Sequence, residues 1–258
     1  MLGAIVGDVI GAPYEWNNIK WTDFDLFTPL STFTDDTILT LATANSILND
    51  ISYESSYRRL GETHPGRGYG GRFQQWLRNP QMGPYNSWGN GSAMRVSPVG
   101  WAYDTETKVM AEARRSAEVT HDHPEGVKGA QATALAVFMA RSGASMSDIR
   151  KEMSTTFGYD MDRSLEEIRP GYEFDVSCQG TVPEAMIAFL ESNDFEDAIR
   201  KAVSLGGDSD TLTCITGSVA HAFYGEIPTE IAAQVKDLLS RDLVVIMNRF
   251  CEKFVNKP

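Results

Sequence analysis

Leu205-Gly206-Gly207-Asp208-Ser209-Asp210-Thr211 leads into a segment, Ser209 to Tyr224, whose Leu212, Ile215, Val219 and Phe223 recur at helical spacing. On a helix, Asp208 and Asp210 would point roughly 200° apart at 3.6 residues per turn. Both can serve one site only if Asp208 lies in the non-helical approach and Asp210 in the first turn. Gly206 and Gly207 supply the backbone freedom for that bend. A second acidic start, Thr34-Asp35-Asp36-Thr37, opens another apolar-periodic segment and obeys the same logic. Capping and the helix dipole account for one carboxylate at a helix start. Two at each of two starts, each with an adjacent threonine, point instead to a shared site of hard oxygen donors suited to Mg²⁺, Mn²⁺ or Ca²⁺.

Outward from these motifs the chain reads as helical throughout. Leu2 to Ala12 carries Gly3, Gly7 and Gly11 four residues apart, one face on which a neighbouring backbone can approach closely. Pro13 ends it, and Asp8 within it is expected to be a buried structural acid bonded to helix-terminal donors. Further helices are expected over Asp36 to Leu48, Tyr53 to Leu60, Thr105 to Thr120, Glu125 to Ala140 and Met146 to Phe157. Five more follow, over Pro183 to Leu190, Phe195 to Leu205, Ser209 to Tyr224, Thr229 to Leu239 and Asp242 to Phe254. Gly89-Asn90-Gly91-Ser92 opens a helix through Val96 that Pro98 interrupts, a generic anion cradle. Pro65 to Arg72 is glycine-rich without the Lys-Ser/Thr ending of a Walker loop, and reads as a plain loop. Gly158 to Pro183 is the least periodic region, with Tyr159, Tyr172 and Phe174 as aromatic surface near a cleft. No alternating strand pattern, fixed repeat or linker appears. The expectation is one all-α, compact orthogonal helical domain over residues 1–258.

Composition narrows the function classes. Apolar residues make up 42% of the 258, an ordinary globular value, and no segment is long and apolar enough to span a membrane. A net charge of −12 argues against general attraction to nucleic acid or anionic membranes. Three scattered cysteines form neither a disulfide framework nor a zinc pattern, and no leader peptide is recognisable, so a soluble cytoplasmic monomer is expected. His121 and His123 alternate, unlike a helical zinc pair, and one of them reads as a helix cap or a polar ligand contact. Cys178 has no framing base and reads as a buried small residue.

Five motifs in order carry a resemblance to the ADP-ribosylglycohydrolase family. They are Gly7-Asp8-Val9-Ile10-Gly11 with Glu15, Phe33-Thr34-Asp35-Asp36-Thr37, Gly89-Asn90-Gly91-Ser92-Ala93-Met94-Arg95, Thr120-His121-Asp122-His123 and Leu205 to Thr211. The resemblance implies a helical fold with two divalent cations, Mg²⁺ or Mn²⁺, at the bottom of a cleft. It implies ligation by Thr34, Asp35 and Asp36 from one side and by Asp208, Asp210 and Thr211 from the other. Glu15 matches the mobile acid beside the metals, with Asp35, Asp36 and Asp208 completing the catalytic group. Gly89, Asn90, Gly91 and Ser92 match the diphosphate cradle, and His121 a contact to bound ADP-ribose. The implied reaction is hydrolysis of the glycosidic bond between ADP-ribose and a protein side chain, a base or a small molecule. The acidic balance favours an arginine-type or small acceptor. Two alternatives share parts of this pattern: a non-catalytic ADP-ribose reader, and a two-metal phosphohydrolase.

Overall fold

The computed structural model describes residues 1–256; the expected domain end at residue 258 lies outside them. Among the described residues no strand forms, and an isolated antiparallel bridge joins Gly89 to Ser177. The helices are α1 Leu2–Gly11, α2 Asp35–Asn49, α3 Tyr53–Thr63, α4 Gly71–Arg78, α5 Gly91–Met94, α6 Ser97–Ala102, α7 Glu106–Glu118 and α8 Pro124–Arg141. They continue as α9 Met146–Phe157, α10 Leu165–Ile168, α11 Cys178–Leu190, α12 Phe195–Val203, α13 Ser209–Tyr224, α14 Thr229–Leu238 and α15 Arg241–Phe250. The all-α expectation holds. No described helix is long and apolar enough to cross a membrane.

The helix opened by the second acidic motif is the centre of the fold. The four inward positions expected of α13 understate it, because every residue from Ser209 to Ala222 is buried and Phe223 is only half-buried. α1, α8, α11 and α12 pack around it. Contact with α1 is the closest, and the glycine face explains it. A Cβ at Gly3 would fall 2.1 Å from the Gly217 carbonyl oxygen, one at Gly7 2.1 Å from that of Thr213, and one at Gly11 2.4 Å from that of Ser209. The four-residue spacing on α1 therefore meets a four-residue spacing on α13, backbone against backbone. Gly7→Ala should force the two helices apart and destabilise the protein by about 3 kcal/mol. That corresponds to a loss of roughly 6–12 °C in melting temperature. An unchanged midpoint on thermal unfolding would refute the close approach.

Three expectations need correction. α11 begins at Cys178, not Pro183: Ser177 caps it by accepting from the Gly180 amide, and Pro183 lies inside. The missing proline N–H frees the carbonyl of Gln179, which is exposed and can be hydrated, so the helix tolerates it. α4 lies directly after the glycine run; its Phe73, Trp76 and Leu77 carry a helical period and are buried. In the aperiodic region Tyr159 is buried and the Tyr172 hydroxyl is bonded to the Gly180 carbonyl, so only Phe174 presents the expected aromatic surface.

Candidate active site

α1, α2 and α13 bring the two acidic motifs together. Asp8, on the glycine helix, reaches the start of α2. Its Oδ1 accepts from the Thr34 hydroxyl at 2.7 Å, and its Oδ2 from the Thr34 and Thr37 amides, each at 3.0 Å, and from the Thr37 hydroxyl. This is the structural acid expected of it. Thr34 is the N-cap of α2, its hydroxyl accepting from the Asp36 amide at 3.2 Å while donating to Asp8. Thr34 is thus placed first as a scaffold for Asp36. Asp36 is buried, and its Oδ1 has no hydrogen-bond partner although its Oδ2 meets the Thr34 and Thr211 hydroxyls. Asp35 faces the cleft, its amide held by the Arg67 carbonyl at 2.7 Å.

At the other helix start, Gly206 and Gly207 take φ of +71° and +73°, Asp208 is non-helical and Asp210 sits in the first turn of α13. The bend anticipated for bringing both carboxylates to one site is present. Single carboxylate oxygens of Glu15, Asp208 and Asp210 lie within 4.8 Å of one another, as do those of Asp8, Asp36 and Asp210. Asp210 belongs to both groups. The unpartnered Asp36 oxygen and this all-oxygen donor set fit hard divalent cations.

Electrostatics make the same demand. Burial, then the neighbouring carboxylates, raises Asp35, Asp36 and Asp210 well above the ordinary aspartate range. Asp8 is raised by burial, with its four hydrogen bonds opposing. Asp208 is pushed up to about 6 by burial, while bonds from Asp210 and Asn90 hold it down. Glu15, at the end of the short turn after α1, rises to about 7 through burial and the Asp210 charge, with the Trp16 side chain opposing. So many carboxylates in one buried cluster are favourable only when protonated or neutralised by cations.

Glu15, Asp35, Asp36, Asp208 and Asp210 line a cleft of about 400 Å³ whose walls include Gly68, Arg72, Tyr85, Gly89, Gly91, His121 and Phe174. The glycine-rich Pro65 to Arg72 segment, read as a plain loop, is therefore one wall. The second glycine loop is used differently from the expectation. The Asn90 side-chain amide donates to Asp208 Oδ2 at 2.7 Å and to the Thr181 hydroxyl at 3.1 Å. The Ser92 hydroxyl is buried against the Gly126 carbonyl at 2.7 Å. The Gly89 and Asn90 amides are bonded to Ser87 Oγ and the Val176 carbonyl. What the loop retains for an anion is the Gly91 amide, which lines the cleft and which helical geometry leaves without an intrahelical acceptor, whereas Ser92 is fully buried. His121 is buried beside Gly91, its Nδ1 on the Thr120 hydroxyl, and burial and Arg95 push it well below the usual histidine range, so the ring is neutral. His123 is the cap, accepting from the Glu125 amide at the start of α8. Cys178 is buried, its thiol pushed up to about 12, and donates to the Gly89 carbonyl.

One organising residue has no signal in the sequence. Asn18, the second of two adjacent asparagines in a surface loop, accepts from the Gly207 amide at 2.6 Å. Its Nδ2 donates to the carbonyls of Tyr14, Glu15 and Gly207. Lys20 Nζ donates to the carbonyls of Leu205 and Tyr172. Together they tie the Glu15 segment to the turn that carries Asp208.

Comparison with known proteins agrees with this geometry. A family model described as ADP-ribosylglycohydrolase matches residues 1–258. ADP-ribosylhydrolase ARH3 of Mus musculus is 27% identical over an alignment covering 87% of this chain and 82% of that protein. ADP-ribosylarginine hydrolase Tri1 of Pseudomonas putida (strain GB-1) is 25% identical, over 87% of this chain and 69% of its own. A solved structure of an ADP-ribosylglycohydrolase-related protein complex superposes with a TM-score of 0.70 at 26% identity, covering 97% of this chain and 96% of the other.

Proposed function

Because this chain belongs to the ADP-ribosylglycohydrolase family and is a glycohydrolase, we propose that it releases intact ADP-ribose from an ADP-ribosylated acceptor in a divalent-cation-dependent hydrolysis. The observation that carries this reading is the convergence of Asp35, Asp36, Asp208 and Asp210 from two helix starts on one cleft floor, with Glu15 at its edge. We take residues 1–258 as one domain, since neither composition nor a linker divides them.

Asp35, Asp36, Asp208 and Asp210 would hold the cations, with the Thr211 hydroxyl beside Asp36 and Thr34 fixing the Asp36 carboxylate. When bound, the cations supply Lewis acidity and charge compensation beside the ribose hydroxyls. The chain's own groups do the rest. The Gly91 amide and the neutral His121 receive the diphosphate end and fix the ribose before reaction. Water oxygen bonds to the anomeric carbon, the bond to the acceptor breaks with its electron pair, and the acceptor takes a proton. Glu15 moves that proton, from the water or to the acceptor. The carboxylates around the ribose stabilise the oxocarbenium character that develops.

The test is incubation with ADP-ribosylated arginine, serine and guanine substrates, with Mg²⁺, Mn²⁺ or EDTA, followed by mass spectrometry. Intact ADP-ribose should appear only with a cation. AMP as the product would assign a phosphohydrolase, and undiminished release in EDTA would remove the metal from the reaction.

A further inference from the structure

Among the carboxylates of the cleft stand two cationic side chains, Arg72 and Arg95, and the proposed reaction has used neither. Arg72 is the second residue of α4, a place where the positive end of the helix dipole penalises a cation. It falls in none of the five motifs that carry the family resemblance. The residue is exposed; its Nη1 donates to the Tyr85 carbonyl at 3.1 Å, and its guanidinium stands 6.0 Å from the centre of the Tyr85 ring. Among the described residues no carboxylate pairs with it, and its Nε and Nη2 have no hydrogen-bond partner. The helix start around it is equally bare. Gly70 caps it without a side chain, no acidic residue follows in the first turn, and a Cβ at Gly70 or Gly71 would meet nothing within 4 Å. Gly70, Gly71, Arg72 and Phe73 all line the cleft.

An independent observation marks the same wall. Arg95 is fully buried without a carboxylate partner, its Nη2 donating to the Ser116 carbonyl at 3.1 Å and the Thr120 hydroxyl at 2.8 Å. Its guanidinium lies 4.2 Å from the centre of the Tyr57 ring, and its Nε and Nη1 have no partner at all. A buried cation left in this state is costly unless an anion comes near. One run of contacts joins both arginines to Gly91. The Tyr85 carbonyl holds Arg72, the Tyr85 amide donates to the Thr120 carbonyl, and the Thr120 hydroxyl meets both Arg95 and His121 Nδ1. A Cβ at Gly91 would fall 3.2 Å from His121 Nε2. The Gly91 amide and the neutral ring offer a diphosphate dipoles and no net charge, so compensating charge on this wall has to come from an arginine. Arg95 has no exposed surface and adds only its field. Arg72 has a flexible stem, an open position and free donors in the fork that suits a phosphate.

We propose that Arg72 sets the affinity of this cleft for its substrate, closing Nε and Nη2 onto one phosphate of the diphosphate while the buried charge of Arg95 strengthens the field behind it. The assignment rests on the hydrolase reading above and adds to it a binding residue from outside the family motifs.

The test uses the full chain with Mg²⁺, comparing the native protein with Arg72→Gln and Arg72→Lys. Binding of ADP-ribose and of adenosine, which has no phosphate, is measured by calorimetry at low and high salt, beside turnover of ADP-ribosyl conjugates. Arg72→Gln should weaken ADP-ribose binding roughly ten- to a hundredfold and raise KM in parallel, with a smaller change in kcat. Adenosine should bind native and variant alike within about twofold. Raising salt from about 50 to 500 mM should weaken ADP-ribose binding to the native chain, and Arg72→Gln should lose most of that dependence. Arg72→Lys, which keeps the charge without the planar fork, should retain the salt dependence and recover only part of the affinity. Because Arg72 is exposed, both variants should melt within about 3 °C of the native chain. An ADP-ribose Kd in Arg72→Gln within about twofold of native overturns the assignment. Equal weakening of adenosine and ADP-ribose, or a native salt dependence kept in Arg72→Gln, overturns it too and makes Arg72 a tether for Tyr85. A native chain that neither binds ADP-ribose nor cleaves any conjugate removes the hydrolase reading itself, and the assignment falls with it.

Discussion

Asp36→Asn is expected to lower kcat/KM for ADP-ribosyl conjugates by roughly 10²–10³-fold, the loss typical of one electrostatic partner at a reacting centre. The same substitution should make the metal-free protein more stable at neutral pH. Asp36 is buried among Asp35, Asp208 and Asp210, and its Oδ1 has no partner, so its charge is a liability unless a cation is present. Asp35, Asp36, Asp208 and Asp210 all have folded-state pKa values raised above the ordinary range. The stability linked to such groups is full below about pH 4, where carboxyls are protonated in either state, and is lost as pH rises through the raised values. Asp208, pushed up to about 6, accounts alone for on the order of 3 kcal/mol between those limits. Melting temperature of the EDTA-treated protein should therefore fall by roughly 6–12 °C from pH 4 to pH 8 through the Asp208 carboxyl. Mg²⁺ should restore it by binding the folded state alone. In Asp36→Asn the pH slope should flatten and the Mg²⁺ rescue shrink. Wild-type turnover together with an unaltered pH slope would remove Asp36 from the site.

Glu15→Gln should reduce kcat by roughly 10²–10⁴-fold, the usual contribution of a positioned acid or base. Free ADP-ribose should still bind with native affinity, because the diphosphate is assigned to Gly91 and His121 and the cations to the aspartates, and Glu15 belongs to neither set. Its carboxyl is half-buried and pushed up to about 7 by burial and the Asp210 charge. Cations at the Asp cluster would oppose that charge and draw the value below 7 in the loaded enzyme. The native pH–rate profile should then carry a limb in the weakly acidic range that is missing from the variant. A limb rising with pH identifies Glu15 as the base, and a falling one as the acid. Identical profiles in the two proteins, or a loss of ADP-ribose affinity matching the loss of rate, would assign Glu15 a structural role.

Much of this molecule was legible in the residues themselves, where local chemistry leaves few options. Glycines at 3, 7 and 11 can form one helical face only for a closely approaching backbone, and α13 takes that place. Gly206 and Gly207 permit the left-handed turn that lets Asp208 and Asp210 converge, and Asp8 needs donors that the start of α2 provides. Local signals mislead where a breaker outweighs its context: Pro183 marks a helix start by local rules yet lies inside α11, and the run ending at Gly71 masks α4.

The sequence alone determined the all-α class, the two acidic helix starts and the glycine turn between Leu205 and Asp208, because capping, glycine freedom and helical periodicity act over a few residues. Tertiary structure alone decided how those starts meet and which side chains remain available between them. It sent the Asn90 amide to Asp208 and the Ser92 hydroxyl to Gly126, set Asn18 across Glu15 and Gly207, and left Trp16 stacked on Phe174 in the open. Apart from the Asn18–Glu15 bond, these contacts join residues from 34 to 189 positions apart. Their partners are chosen by the packing of helices around α13, and no local preference of the chain encodes that.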